Sequence, residues 1–276
     1  MTVRPITCAD LDTVLGWVRA EGWNPGLEDA PAFHAADPGG FFVKRVDGAP
    51  VAAVSVVNHD DDFAFLGLYL CLPAFRGQGH GMEVWTAAMA HAGARRIGLD
   101  GVPDQQANYA RSGFDKHGRT IRYAGRFEAV ADARVRVAGP SDLSALCARD
   151  RAQTGMARTR FARAWFAPAE TRQTVVLDDA GQITGSATFR RCAEGVKIGP
   201  LSARTPEDAC ALLGACPWGA QTPPYFIDVA DTNAGLTGLL GDMGCAPVFE
   251  TARMFRGAPP DAAPAPFQAI ATMELG

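Results

Sequence analysis

The sequence predicts a mixed α/β (α+β) protein built as two similar halves. Three observations predict it. Along the first 128 positions the hydrophobic period switches repeatedly between two and about 3.6 residues, as it does where strands and amphipathic helices follow one another. The opening of the chain recurs, since VRPITCADLDTV from Val3 lies over VRVAGPSDLSAL from Val135, matching Val, Arg, Asp and Leu at an offset of 132. The end of the first half recurs as well: YARSGFDKHGRTIRYAG from Tyr109 lies over LGDMGCAPVFETARMFR from Leu240, pairing Gly113 with Gly244 and Arg122 with Arg253 at an offset of 131. Near-equal offsets at opposite ends indicate a tandem duplication.

MTVRPIT reads as a strand, and CADLDTVLGWVRAEG as a helix with Asp10 near its start and Leu11, Val14, Leu15 and Val18 on one face. GFFVKRVDGAPVAAVSVVN and FAFLGLYLCL are β-rich runs broken by the turn Asp47-Gly48 and by the loop at residues 59–62, which makes an antiparallel meander. A helix over residues 79–92 follows, then a short strand RIGLDGV, a short helix at QQANYARSG and a last strand at GRTIRYAGRF. The boundary falls near residues 128–135 and gives domains 1–130 and 131–276, each a normal domain size. After Gly257, APPDAAPAP reads as an extended linker leading to FQAIATMEL, which adds a final strand.

The composition excludes some functions. With 47% hydrophobic residues, 20% charged residues and a formal net charge of −4, the chain carries no basic stripe, and Lys44, Lys116 and Lys197 are its only lysines. No nucleic-acid partner is therefore expected. No apolar run of about 18 residues occurs and the N-terminus lacks a long apolar region, so the expectation is a cytoplasmic protein with no membrane partner. Seven scattered cysteines show neither disulfide nor metal-ligand spacing and read as core thiols, so no metal is expected.

The chemistry centres on PAFRGQGHG, residues 73–81. A glycine-rich turn between a strand and a helix lets backbone N–H groups converge on an anion at the positive end of the helix dipole, and Arg76 adds a fork of donors. A tight turn without a ligand is the other reading. The absence of Gly-Lys-Ser/Thr excludes a P-loop, and Val84 stands where a dinucleotide fingerprint needs its third glycine.

Arg76-Gly77-Gln78-Gly79-His80-Gly81 resembles the pyrophosphate-binding signature Gln/Arg-x-x-Gly-x-Gly/Ala of the GNAT superfamily of N-acetyltransferases. About 30 residues on, Tyr109-Ala-Arg-Ser-Gly113-Phe114, preceded by Asn108, resembles that family's Tyr-x-x-x-Gly-Phe, and the element order over residues 1–128 fits. The resemblance implies tandem GNAT-like domains, each a mainly antiparallel central sheet flanked by helices. It implies acetyl-CoA as cosubstrate and a small-molecule amine as acceptor. Leu70, Cys71 and Leu72 would pair with the pantetheine arm, one of their N–H groups would face the thioester oxygen, and Gln78 to Gly81 would cradle the pyrophosphate. Tyr109 takes the family's place for the proton donor to the leaving thiolate, with packing at a helix end as its other reading. Glu21 is the candidate general base, although a solvated loop carboxylate also fits. His59 and the aspartates after it are candidates to overhang the acceptor groove, with a solvated loop as their other reading, Trp23 and Phe33 could line it or pack in the core, and the His80 side chain is expected to point outward. A non-catalytic acyl-CoA sensor is the rival function.

The second half lacks these motifs. After VKIGPLSA the chain reads RTPEDACALLGACPWG, placing Glu207 and Asp208 where a pyrophosphate would sit, and Leu240 replaces Tyr109. It is read as a degenerate, non-catalytic GNAT-like domain that helps to wall the acceptor site, with an unrelated α+β substrate domain as the competing reading; ARTRFARAWF at residues 157–166 is a candidate contributor, or else a helix packing on its own domain.

Overall fold

A computed structural model describes residues 3–219 and 224–276, so Met1 and Thr2 of the expected first strand lie outside the described residues. The first half runs β1 (Val3–Pro5), α1 (Cys8–Ala20), α2 (Asp29–Ala36), β2 (Phe41–Val46), β3 (Ala49–Asn58), β4 (Phe63–Cys71), α3 (His80–Ala92), β5 (Arg96–Gly101), α4 (Gln106–Arg111) and β6 (Asp115–Gly125). The second repeats that order as β7 (Val135–Val137), α5 (Leu143–Thr154), α6 (Thr159–Phe166), β8 (Arg172–Asp179), β9 (Gln182–Arg191), β10 (Val196–Ala203), α7 (Pro206–Leu213), β11 (Tyr225–Ala230), α8 (Ala234–Asp242) and β12 (Ala246–Arg256). A final strand, β13 (Phe267–Ala269), stands outside the repeat.

Local chemistry sets these elements. Thr7 caps α1 by accepting from the Asp10 N–H while Asp10 reaches back to Thr7, a reciprocal capping box, and Leu11, Val14, Leu15 and Val18 are all buried. Helix α2 was not legible as a helix: Asp29, Ala30, Ala32, Phe33 and Ala36 are buried and the exposed positions are Pro31 and Ala35, so its wet face lacks the usual polar stripe. Phe33 stacks on Trp165 of α6 with ring centroids 6.0 Å apart. Residues 157–166 thus serve the core between the halves, and Phe33 is a core residue rather than a groove wall.

All strands join one sheet in the order β1-β2-β3-β4-β5-β12-β6-β11-β10-β9-β8-β7, with β13 added to β10. The last strand of each half is exchanged. β12 lies between β5 and β6, and β6 lies between β12 and β11, so β6 has no partner from its own half. Reciprocal ion pairs mark the exchange: Arg122 of β6 donates from Nε and Nη2 to Asp228 of β11, at 2.7 and 2.9 Å, and Arg253 of β12 donates to Asp100 of β5 at 2.6 and 3.0 Å. Burial makes such pairs selective, because a shifted register would strand a charge at a cost of about 3–5 kcal/mol.

Each half also opens in the same place. The parallel ladder of β4 and β5 ends at Leu66 and Leu99, and that of β10 and β11 ends at Ile198 and Ile227. Just beyond, β4 holds one more residue than β3 between Gly67 and Leu70, with Leu68 at φ 49°, and β10 holds one more than β9. These bulges swing the strands apart. The segment after β13 crosses both openings: a Cβ on Gly199 would overlap the Ile270 carbonyl and one on Gly67 the Glu274 carbonyl, so the two equivalent glycines are spaces for this tail. In the second half the opening is filled, since β13 pairs with Leu201 to Ala203. In the first half the tail crosses only at Gly67, and among the described residues no strand enters the opening beyond it.

Among the described residues no helix is long and apolar enough to cross a membrane, all seven cysteines are free thiols, and no cluster of three metal-ligating side chains occurs.

Candidate active site

The free opening leads to the glycine turn. From β4 the chain passes through a short turn at Pro73–Phe75 to Gly77 (φ 75°) and Gly79 (φ 86°), both left-handed positions that favour glycine. A Cβ at either would meet nothing, so the backbone there is open to approach, and Gly79 supplies no side-chain cap to α3. The first N–H groups of that helix thus have no internal acceptor, the arrangement that suits an anion. Gly81 has a different reason: its Cβ would lie 2.9 Å from the Tyr69 hydroxyl. In the second half Thr205 caps α7 by accepting from the Asp208 N–H, and Asp208 pairs with Arg134 at 3.0 Å, so that helix start is already satisfied and acidic.

Arg76 is held at the turn by two bonds, Nε to the Cys71 carbonyl at 2.9 Å and Nη2 to Glu21 at 2.8 Å. Both side chains are exposed, and such a pair is worth about 0–1 kcal/mol, so it holds Arg76 only weakly. Gln78 turns its amide onto the Ala74 carbonyl at 3.0 Å. His80 does not point outward as expected; it folds over Phe75, with ring centroids 6.1 Å apart, and only 12% of its side chain is exposed. Asn108 is exposed on α4, where it donates to Gln105 at 2.7 Å and accepts from Arg111.

The turn and the opening form a cleft of about 440 Å³, lined by Leu70, Cys71, Arg76, Glu21, Asp104 and Gln105 among others. Burial pushes the Cys71 thiol above its ordinary value, so it stays neutral. Trp23, Tyr69 and Val102 border both this cleft and a smaller inner pocket of about 40 Å³. Tyr109 lies in the inner pocket, stacked on Trp85 at 5.9 Å and edge-on to Phe114 at 6.3 Å. Burial, then the neighbouring Tyr69, pushes its phenol well above the ordinary tyrosine value. It therefore carries its proton throughout the neutral range.

Across from Tyr109 the inner pocket is walled by Phe249, Thr251, Met273 and Glu274, all from the second half. None of these four, nor Tyr69, was found by sequence reasoning; the offset that aligned the repeats carried no sign that β12 had crossed over. Glu21 reaches the outer cleft but not the inner pocket. His59 borders neither the cleft nor the inner pocket; it lines a separate surface hollow with Asp60 and Asp61. It is half-buried and packed on Phe161, its Nε2 is 2.8 Å from the Leu275 carbonyl, and desolvation with the nearby Arg158 lowers its pKa to about 4, so it is a neutral clasp on the tail.

Known proteins are similar to this chain in sequence and in fold. A profile described as the acetyltransferase (GNAT) family matches residues 9–114, and one described as an acetyltransferase (GNAT) domain matches residues 146–265. The holothin acyltransferase of Pseudoalteromonas sp. (strain SANK 73390) is 34% identical over 282 residues, spanning 100% of this chain and 94% of that protein. Two solved structures share the fold: a Pyrococcus horikoshii protein described as an acetyltransferase, with a TM-score of 0.81 at 18% identity over 100% of this chain and 95% of that one, and a tandem GNAT protein from the clavulanic acid biosynthesis pathway, with a TM-score of 0.61 at 15% identity over 95% and 99%. With a relative this similar along its whole length and a family match on each repeat, the chain belongs to the GNAT family of acyltransferases.

Proposed function

We propose that the protein transfers the acetyl group of acetyl-CoA directly to a primary amine of a small molecule, at a single site in the first half. The observation that carries this reading is the free opening beside β4, which runs from the uncapped glycine turn to Tyr109. The N–H groups from Gln78 to Gly81 hold the pyrophosphate. Leu72 donates its N–H to Val51 at 2.9 Å, and because strand groups alternate in direction, the N–H of Cys71 faces the opening, where it can meet a pantetheine amide or the thioester oxygen. The amine attacks the thioester carbon, the tetrahedral oxyanion collapses, and Tyr109 gives its proton to the departing thiolate. The second half, residues 131–276, holds no donor because β13 occupies its opening, so one CoA binds per chain.

The 34% identical relative is by its name an acyltransferase for holothin, which makes holothin one acceptor to try. Release of free thiol from acetyl-CoA, measured against a panel of primary amines and against holothin, tests the reaction. Binding of acetyl-CoA without thiol release for any amine would favour the sensor instead. The donor site has its own test by calorimetry. Arg76→Ala should remove a charge-assisted contact of about 1.5–3 kcal/mol, raising the Kd for CoA about 10- to 100-fold, and Gly79→Val should raise it at least as much by closing the backbone approach. Unchanged affinity in both variants would remove the turn from the site.

A further inference from the structure

The inner pocket contains two carboxylates, Asp100 and Glu274. Asp100 is fully engaged. Its Oδ1 accepts from Thr120 at 2.8 Å, Thr251 at 3.2 Å and Arg253 at 3.0 Å, and its Oδ2 accepts from Arg253 at 2.6 Å. Glu274 is different, for one oxygen accepts from the Thr272 hydroxyl while the other accepts from no described side chain and borders the pocket with Tyr109. The residue is only 5% exposed overall and lines the pocket, so its second oxygen is available to a group that enters there.

We infer that Glu274 is the catalytic residue that receives the acceptor's proton, a role resting on the amine-acetylation reading above. The tail fixes it in place, through His59 on the Leu275 carbonyl, Arg158 on the Gly276 oxygen and the fit of the Glu274 backbone over Gly67. The charges around it balance. Arg122, Arg190 and Lys197 face it from β6, β9 and β10, and Asp228 and Asp29 pair with the two arginines, leaving Lys197 bonded to the Trp23 carbonyl at 2.8 Å. Asp100, Tyr69 and Tyr109 complete the titratable lining. In the step assigned to it, the nitrogen lone pair forms the C–N bond as the carbonyl electron pair moves to oxygen, and the N–H proton passes to Glu274. The C–S bond then breaks, sulfur keeps the pair and takes the Tyr109 proton, and solvent carries a proton from Glu274 back to the tyrosine. Amide and free thiol are the only products.

The test uses the full chain, acetyl-CoA, and as acceptors benzylamine and whichever panel amine is turned over fastest. Glu274→Gln should lower kcat/KM about 10²-fold, the usual contribution of a positioned base, with the Kd for acetyl-CoA unchanged. Because Glu274 also offsets buried cations, Glu274→Asp is the second variant: it keeps the charge and the melting temperature but draws the carboxylate back by one methylene, and it should lose most of the same activity. Formate added to Glu274→Ala should restore thiol release, which a merely structural role would not permit. Wild-type turnover with undiminished kcat/KM in Glu274→Gln overturns the assignment alone. If wild-type protein binds acetyl-CoA yet releases thiol with no amine, the acetylation reading falls and this role falls with it.

Discussion

Residues 1–130 expressed alone are expected to yield no folded monomer and no thiol release. The reason is the strand exchange. In that fragment β6 loses both of its ladders, to β11 and to β12, and β5 keeps only β4. Met254 and Phe255, buried against the first half's core and against Phe63, would be absent too. At about 1.5–3 kcal/mol for each buried side chain, these two alone remove about 3–6 kcal/mol from a total that is typically about 5–15 kcal/mol. Arg122 and Asp100 would lose their partners at the same time. An unpaired β6 is also an exposed edge that invites association. Size exclusion with circular dichroism on the fragment, alone and after mixing with residues 131–276, measures this. Recovery of fold and activity only in the mixture fits the exchange, whereas a monomeric fragment with full-length kcat/KM would show that β12 is dispensable and that the second half has no part in the site.

Most of the element order was legible, because period and turn chemistry are local and the repeat showed each half twice. Asp47-Gly48 closes the hairpin of β2 and β3, and the apolar face of α1 is the buried one. The alignment even brought Arg122 over Arg253, but their shared role stayed hidden: each arginine binds the other half's aspartate, and two strands of equal pattern give no local sign of which half they complete. The glycine turn proposed to hold the donor was legible for a related reason, since Arg76 to Gly81 is contiguous and its glycines answer to backbone geometry. The pocket proposed for the acceptor was not. Phe249, Met273 and Glu274 come from β12 and from a tail read as linker and strand, and they reach Tyr109 only through the exchanged strand and the crossing over Gly67. Glu21 shows the same limit, because its bond to Arg76 spans 55 positions.

Tyr109→Phe is expected to lower kcat by about 10²-fold or more while leaving both stability and acetyl-CoA affinity unchanged. A phenylalanine fills the same space against Trp85, Tyr69 and Phe114, so the stacking survives. Burial and charge alone account for the shift of the phenol, with no hydrogen bond among its causes, so deleting the hydroxyl strands no buried partner. What is lost is the proton for the thiolate. A free thiol titrates near about 8.5, so sulfur can depart unprotonated, but in a dry pocket the bare thiolate is costly and a donor at hand lowers the barrier. The sign of the pH effect follows from the raised phenol: its proton is held more tightly than in water, so the wild-type rate should not fall through loss of this proton below about pH 10. Single-turnover thiol release in both forms, across that range, isolates the chemical step from product release. An alkaline fall near pH 8 in the wild type but not in the variant would require a phenol that ionises early, against its burial. An unaltered single-turnover rate in Tyr109→Phe would leave the hydroxyl as packing and pass the proton transfer to water from the cleft.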